Sequence, residues 1–320
     1  MFHSLGASTP CHLIAVKTKQ MKKYHPSLFS FAILLFSSLL FIGYNPSDAN
    51  LKIITYNIWN GFDWGKDNAR HDRFLQWVKD QSPDVMALQE LCGYTEEKLK
   101  EDASSWGHPY SVLLKTKGYP VGITSSKPIA LKEKLLEGLW HGMLHVKTHD
   151  INFFVVHLSP ADYAFRMRET AIITERVQAV KEEAYIILGD FNAVSPMDAD
   201  LNLVKSSLLN RYRQGDARNE KYNNLRDGEW DYGVMSGFLA LPAIDVCHRL
   251  IPSPERYSFP VPILIGQYYD DIDHIKRSRH RIDYIMVSPE LAQKCVKAEI
   301  FHNERTDDLS DHYPVSVSFE

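Results

Sequence analysis

The sequence predicts a single α/β domain whose β-sheets are antiparallel or mixed. Short apolar segments rich in β-branched residues recur from Asn50 onward, and stretches typical of helices lie between them. Strands and helices do not follow a strict β-α-β order. In addition, Thr148-His149-Asp150 forms a turn between two apolar segments, which indicates a hairpin.

The individual elements follow from length and composition. The predicted strands cover residues 51–56, 85–88, 143–146, 151–156, 186–188, 282–287 and 315–319. The last of these alternates cleanly, with Val315, Val317 and Phe319 on one face. The predicted helices cover residues 71–80, 94–102 and 162–183, and Pro83 ends the first of them.

The first 49 residues are expected to lie outside this domain. Met21-Lys22-Lys23 begins a basic segment, residues 28–43 are largely apolar, and Ser47-Asp48-Ala49 is a suitable cleavage site before Asn50. We therefore predict an upstream extension (residues 1–20), a signal peptide (21–49), a domain at 50–320, and secretion or a periplasmic location. The alternative is an uncleaved membrane anchor, for which the apolar run is rather short.

Charge and cysteine content narrow the class of protein. Four lysines and one aspartate precede Asn50, so the remaining chain carries 32 basic and 39 acidic residues, a net charge of about −7. This net negative charge argues against a protein that binds nucleic acid through its overall charge. It does not exclude a local basic groove. Cys92, Cys247 and Cys295 allow at most one disulfide. Nothing indicates a stable protein partner, and we expect a monomer.

Polar side chains follow several of the apolar strands. Asp190 and Asn192 are two residues apart, so on an extended segment they would share one face, and Gly189 leaves room for a close approach. A carboxylate can activate water while an amide donates to a phosphoryl oxygen. The alternative is an Asx turn at the end of a strand. Glu90 and Asn57 end two other strands, and Glu90 is the type of residue that binds magnesium there. The alternative is that Glu90 begins a loop and Asn57 is a turn residue.

Three further strand ends carry histidine or aspartate. His157 ends one strand, and a lone histidine there is more often a core residue than a catalyst. Asp283 and His312, the latter preceded by Asp311, suit a carboxylate–imidazole pair, in which the carboxylate fixes the tautomer and raises the basicity of the ring.

Six short motifs, in this order, resemble those of the endonuclease/exonuclease/phosphatase superfamily, the DNase I-like fold: Thr55-Tyr56-Asn57, Leu88-Gln89-Glu90, Val156-His157-Leu158, Gly189-Asp190-Phe191-Asn192, Arg281-Ile282-Asp283-Tyr284 and Ser310-Asp311-His312. The resemblance spans about residues 52–319. It implies a four-layer α/β sandwich, in which two packed mixed β-sheets are flanked by helices and the active site lies at one end.

The resemblance also implies a role for each motif residue. Glu90 would bind Mg²⁺, or alternatively Mn²⁺, with Asn57 and Asp311 as further metal ligands. Asp190 would activate water, and Asn192 and His157 would contact the phosphate. His312, oriented by Asp283, would stabilise the charge that develops during in-line attack by water on phosphorus.

The sequence does not identify the substrate, since members of such a family cleave DNA, RNA, phospholipid head groups and phosphoinositides. The expected function is a secreted Mg²⁺-dependent phosphodiesterase, nuclease-like or phospholipase C-like. The alternatives are a phosphomonoesterase acting on sugar or inositol phosphates and a non-catalytic binding module.

Three local features bear on the substrate, and each has a second interpretation. The basic run at residues 274–281 would attract an anion, or form a solvated loop. The aromatic residues Trp59, Phe62 and Trp64 would stack on a substrate, touch lipid, or pack beneath their loop. Residues 252–269 form a substrate loop or cover an edge of the sheet.

Overall fold

The structure is a computed structural model that describes residues 50–219 and 221–320. The predicted upstream extension and signal peptide lie outside the described residues. Within the part of the chain that is described, no helix is long and apolar enough to cross a membrane.

Fourteen strands are present among the described residues: β1 (Leu51–Asn57), β2 (Val85–Gln89), β3 (Tyr110–Leu113), β4 (Gly122–Ser125), β5 (Ala130–Leu135), β6 (Met143–Thr148), β7 (Ile151–His157), β8 (Tyr185–Asp190), β9 (Leu225–Arg226), β10 (Glu229–Trp230), β11 (Ile244–Asp245), β12 (Asp283–Val287), β13 (Cys295–Ile300) and β14 (Val315–Phe319).

The helical segments of the same part of the chain are α1 (Trp59–Gly65), α2 (Asn68–Gln81), α3 (Glu96–Ser105), α4 (Tyr163–Gln178), α5 (Ala199–Leu203), α6 (Ser206–Arg218), α7 (Gly233–Leu239), α8 (Val246–Leu250), α9 (Ile272–Ser278) and α10 (Pro289–Lys294). Short 3₁₀ turns occur at Pro196–Asp198, Ser253–Glu255 and Pro262–Leu264. The segment α1 is a left-handed turn, because its residues from Asn60 to Trp64 have φ between 52° and 60°.

The larger strands form two six-stranded sheets, with the orders β13-β14-β1-β2-β4-β3 and β11-β12-β8-β7-β6-β5. Each sheet contains one parallel pair, β1 with β2 and β7 with β8, among antiparallel neighbours. The predicted mixed sheets are therefore confirmed.

Alternation along the central strands explains the layers. In β8, Ile186 and Leu188 enter the core between the two sheets, while Tyr185 and Ile187 pack outward in a cluster that includes Ile173 of α4. Helices α2 and α3 cover the other sheet in the same way. Both faces of each central strand are buried, so these strands are apolar on both sides. The four-layer sandwich is confirmed.

Most predicted elements are present, with two kinds of difference. The helix predicted at 162–183 ends at Gln178, because the chain then turns into β8 and Glu183 binds Lys147 and Asn152 at its carboxylate. The sequence does not predict strands β3, β4, β5, β9, β10, β11 and β13; β5 is a largely exposed, charged strand without an apolar pattern. Cys92, Cys247 and Cys295 are buried and free.

Candidate active site

The polar residues at the strand ends are brought together by strand register. Asp190 lies between two partners, because it pairs with His157 of β7 on one side and with Asp283 of β12 on the other. In the other sheet, Asn57 pairs with Gln89, so Glu90 follows immediately at the same edge. Side chains from distant parts of the chain therefore meet at one end of the sandwich.

Asn57 connects the two sheets at this edge. Its buried side-chain amide donates to Glu90 Oε1 at 3.2 Å and to Asp190 Oδ2 at 3.1 Å. Its backbone carbonyl accepts a 2.6 Å hydrogen bond from the Ser310 hydroxyl. One residue thus holds the segment before His312 and both carboxylates in a fixed relation.

Glu90 is held in an unusual backbone conformation. Its φ is +60°, in the left-handed region, and its Oε2 accepts the backbone N–H of Asn60 at 2.7 Å. Asn60 itself lies in the left-handed turn α1. Strained backbone of this kind concentrates at functional sites, where the surrounding structure enforces it. The carboxylate of Glu90 is therefore placed by the fold.

Asp190 is the most constrained carboxylate of the site. Besides the bond from Asn57, its Oδ2 lies 3.5 Å from His157 Nε2 and 3.7 Å from His312 Nε2. Burial raises the pKa of Asp190 to about 7, and the charge of Asp283 adds to the rise while His312 opposes it. A carboxyl whose pKa is close to neutral is suited to accept a proton from water.

Position 189 requires a glycine because the backbone of strand β7 lies too close for a side chain. It has φ +139°, and a Cβ at this position would lie 2.0 Å from the Val156 carbonyl oxygen. The room that Gly189 was predicted to leave is filled by the neighbouring strand, and this contact sets the position of Asp190 beside His157.

The predicted extended geometry through Asn192 is wrong. Strand β8 ends at Asp190, and Asn192 has φ +47°. Asp190 Oδ1 accepts the Asn192 backbone N–H at 2.8 Å, which is the Asx turn considered as the alternative. The Asn192 side-chain amide donates to the Leu158 carbonyl at 3.0 Å. Asn192 therefore lies beside the site, with its amide nitrogen bonded to the loop after β7.

Asp283 and His312 form the expected pair. His312 Nδ1 lies 2.8 Å from Asp283 Oδ2, and both side chains are buried. Burial alone would lower the pKa of His312, but the charges of Asp283, Asp311 and Asp190 raise it well above its ordinary value. The ring therefore favours the protonated form, with Nε2 on the side of Asp190 available as a donor.

Ser258 holds this pair in place and was not identified from the sequence. It is fully buried, and its Oγ accepts the backbone N–H groups of Ile282 and Asp283, both at 3.1 Å. Its carbonyl accepts the N–H of Tyr313 at 2.7 Å. One serine thus joins the strand of Asp283 to the segment of His312. No local pattern around residue 258 signals this role.

His157 has features of both a core residue and a site residue. It is buried, its ring stacks on His141 at 4.1 Å between centroids, and its Nδ1 has no hydrogen-bond partner among the described residues. Burial lowers the pKa of His157 well below its ordinary value, so the ring is neutral. His141 was not identified from the sequence; burial lowers its pKa to about 3.

Glu90, Asn57 and Asp311 offer a set of oxygen ligands that suits a hard divalent cation. Burial raises the pKa of Asp311 to about 7, His312 opposes this rise, and the nearby charge of Glu90 adds to it. Glu90 and Asp311 are partly buried carboxylates that repel each other, and a bound cation relieves such repulsion. These residues therefore fit such an ion.

Asp190, Asp283 and His312 also bring possible ligand atoms within 4.8 Å of one another. However, His312 Nδ1 is bonded to Asp283, and a ring that favours the protonated form is a poor metal ligand. This geometry favours a proton-donating pair facing Asp190 over a second metal centre.

The basic run does not present Arg281 to a substrate. Arg281 is completely buried, and its guanidinium bonds Asp198 through Nε at 2.8 Å and Asp245 through both terminal nitrogens. His280 is also buried, and Arg279 lies over the ring of Tyr257. The acidic partners lie far from Arg281 in sequence, so neither a substrate-facing run nor a solvated loop describes this end of the segment.

The three aromatic residues after β1 differ in environment. Phe62 is buried in the core beneath the loop, Trp59 is half-buried, and Trp64 is 45% exposed. The packing interpretation therefore holds for Phe62, while the side chains of Trp59 and Trp64 remain accessible.

Comparison with known proteins agrees with this geometry. The model of the Endonuclease/Exonuclease/phosphatase family matches residues 54–312. The chain belongs to this family. Its members hydrolyse phosphoester bonds and are typically dependent on divalent metals, so the chain is a phosphoester hydrolase.

Two solved structures show the same fold. An AP endonuclease from Archaeoglobus fulgidus aligns with a TM-score of 0.62 and 19% identity, covering 84% of this chain and 99% of the other. A 3′ phosphatase, NExo, from Neisseria, bound to a product DNA hairpin, aligns with a TM-score of 0.60 and 21% identity, with the same coverage. No curated protein sequence matches the chain.

Proposed function

We propose that this protein is an exported phosphodiesterase that uses Mg²⁺, or Mn²⁺, to cleave its substrate by in-line attack of water. The observation that carries the proposal is the cluster around Asp190, in which Asn57 bonds both Asp190 and Glu90 while His312 faces Asp190 from its pair with Asp283.

Each residue has a role that its contacts support. Asp190 accepts the proton of the attacking water, which its near-neutral pKa favours. His312 donates from Nε2 to the phosphoryl oxygens as negative charge develops. The neutral ring of His157 and the side chain of Asn192 lie beside Asp190 and add uncharged polar groups next to the phosphate. Glu90, Asn57 and Asp311 would hold the metal, which would neutralise charge on the phosphate when bound.

Export rests on the predicted signal peptide at residues 21–49. A periplasmic or extracellular location is compatible with three buried, free cysteines, since none is exposed to oxidation. Fractionation of cells that express the full chain, with amino-terminal sequencing of the product, tests this part. A mature protein that begins at Asn50 supports it, and an intact amino terminus in the cytoplasm contradicts it.

Activity is tested on bis-p-nitrophenyl phosphate and p-nitrophenyl phosphate, with and without EDTA, followed by addition of Mg²⁺ or Mn²⁺. We expect hydrolysis of the diester to exceed that of the monoester, and to be lost in EDTA and restored by metal. Faster hydrolysis of the monoester would instead favour a phosphomonoesterase.

A matched pair of variants tests the site. Asp190→Asn should lower kcat about 10²–10⁴-fold, since it removes the base that also orients the water. Asp200→Asn makes the same chemical change at an exposed position and should leave the rate unchanged. Equal rates for both variants would contradict the assignment.

A further inference from the structure

A large aromatic cleft opens beside the catalytic centre. It has a volume of about 600 Å³, and Asp311 forms part of its wall, so it adjoins the residues described above. Phe259, another wall residue, has its ring 5.1 Å from that of His312. This volume is typical of a pocket for a small organic molecule. A group bonded to a phosphate beside His312 would therefore extend into the cleft.

The cleft walls present flat aromatic surfaces. Trp59 comes from the turn after β1, Tyr212 from α6, and Tyr268 and Tyr269 from the loop before α9. The guanidinium of Arg211 lies 4.5 Å above the Tyr269 ring and continues this surface. Tyr268 is 64% exposed, so its ring is accessible to a ligand in the cleft. Stacked aromatic and guanidinium planes are suited to bind a flat ring.

The charges of the cleft exclude some substrates. Arg211 is the cation among the described residues that line the cleft, and the carboxylates of Asp216 and Asp311 also line it. Asp216 is already bonded to the backbone N–H groups of Asn224 and Leu225. A second phosphate in the cleft would meet this negative charge, so a polyphosphorylated inositol is a poor fit. The side-chain amides of Asn219 and Asn224 offer hydrogen bonds to a neutral polar ring.

We propose that this cleft binds one unpaired nucleobase with its sugar, attached to the phosphate that is cleaved beside Asp190 and His312. This inference rests on the proposed function and specifies its substrate. A base held in a duplex cannot enter such a cleft without leaving its stack. The substrate is therefore a small nucleotide ester or the unpaired end of a single strand.

The first test compares two product-like inhibitors that carry the same phosphate. Thymidine 5′-monophosphate and methyl phosphate compete with bis-p-nitrophenyl phosphate, and we expect the inhibition constant of the nucleotide to be at least about tenfold lower. Stacking of one base corresponds to about 5–150-fold in affinity. Equal inhibition by the two, or stronger inhibition by phosphocholine, would overturn the proposal.

Two variants with matched controls locate the binding. Arg211→Ala and Tyr268→Ala should raise the inhibition constant of thymidine monophosphate about tenfold, with methyl phosphate changed by less than about twofold. Arg213→Ala lies two residues away on α6 and bonds Gly228 and Glu229 instead, so it should change neither constant. Tyr110→Ala is the control for an exposed tyrosine, on the edge strand β3. Unchanged nucleotide inhibition in the first two variants would overturn the assignment.

The two sources of the nucleotide are separated by their cleavage rates. If dithymidine monophosphate and a single-stranded oligonucleotide are cleaved at comparable rates, the substrate is a small nucleotide ester. If only the oligonucleotide is cleaved, the substrate is the end of a single strand. Faster cleavage of the same sequence as a blunt duplex overturns the proposal. If no ester is hydrolysed, the proposed function fails. Calorimetric titration with thymidine monophosphate then tests separately whether the cleft binds a nucleotide, and absence of binding overturns this inference.

Discussion

Replacement of Ser258 by alanine should destabilise the protein and misplace the pair of Asp283 and His312. The Ser258 hydroxyl accepts the backbone N–H groups of Ile282 and Asp283, both at 3.1 Å. Ser258 is 0% exposed, and Ile282 and Asp283 are also buried, so water cannot replace the lost acceptor. Both N–H groups would be left without a partner.

The size of the effect follows from these two groups. A buried donor without an acceptor costs about 1–3 kcal/mol. Both bonds share one oxygen and are fairly long, so the lower half of the range applies and the loss is about 2–4 kcal/mol. In a domain of this size, each kcal/mol lowers Tm by about 2–4 °C. We therefore expect Tm to fall by roughly 5–15 °C. The loss of about 2–4 kcal/mol is a large share of a typical total stability of about 5–15 kcal/mol.

Thermal unfolding and steady-state kinetics measure the two consequences. At 25 °C, where the variant remains folded, kcat should fall about tenfold with KM nearly unchanged, because small displacements of catalytic groups slow the reaction. The control is Ser104→Ala, whose hydroxyl donates to the Lys100 carbonyl on an exposed helix, with an expected change below about 0.5 kcal/mol. A Ser258→Ala variant with the Tm and kcat of the wild type would refute the reasoning.

Three further predictions concern residues on either side of the site. Gly189→Ala should destabilise by at least about 3 kcal/mol in denaturant unfolding, because the added Cβ meets a carbonyl at 2.0 Å. Gly215→Ala, in open space within a helix, should instead stabilise by up to about 1 kcal/mol. Asp283→Asn should lower kcat about 10²–10⁴-fold in the diester assay, since His312 loses the charge that keeps it protonated, and an unchanged kcat would exclude this pair from catalysis. Burial raises the pKa of Glu169 to about 7 from 4.5, so its folded form binds the proton more tightly. Stability should therefore fall by at most about 3 kcal/mol as pH rises from about 4.5 to 7. Asp190 and Asp311 contribute in the same pH range, so Glu169→Gln should reduce this slope in unfolding measured across that range. An identical slope in the variant would assign it to other groups.

Most of the residues predicted from sequence stand at or just after the end of a short apolar strand, whereas Asp283 begins β12 and His312 precedes β14. Asn57, Glu90 and Asp190 each stand at or just after a strand end, and the pairing of Asp283 with His312 is confirmed at 2.8 Å. Local sequence carries this information because a strand of alternating buried residues fixes where its last side chain emerges. The order of the motifs along the chain adds the topology that brings the ends together.

The residues that were missed or misjudged depend on contacts far along the chain. Ser258 lies 25 residues before Asp283, and Arg281 reaches Asp198 across 83 residues. A basic run looks the same in sequence whether its charges face solvent or enter a buried ion pair. Arg211 and its cleft depend on where α6 packs, and no strand-end rule predicts the placement of a helix.

The buried ion pairs of Arg281 anchor the strand that carries Asp283. Asp190 and Asp283 are buried and Asp311 is partly buried, and loss of solvation raises the pKa of Asp190 and of Asp311 to about 7. Two residues before Asp283, Arg281 is fixed between Asp198 and Asp245, which anchors the start of β12 without neutralising the site. Protonated His312 offsets part of the repulsion between these carboxylates, and a bound cation would offset more of it. Because Asn57 joins carboxylates from both sheets, loosening the core between the sheets should impair activity before it unfolds the protein.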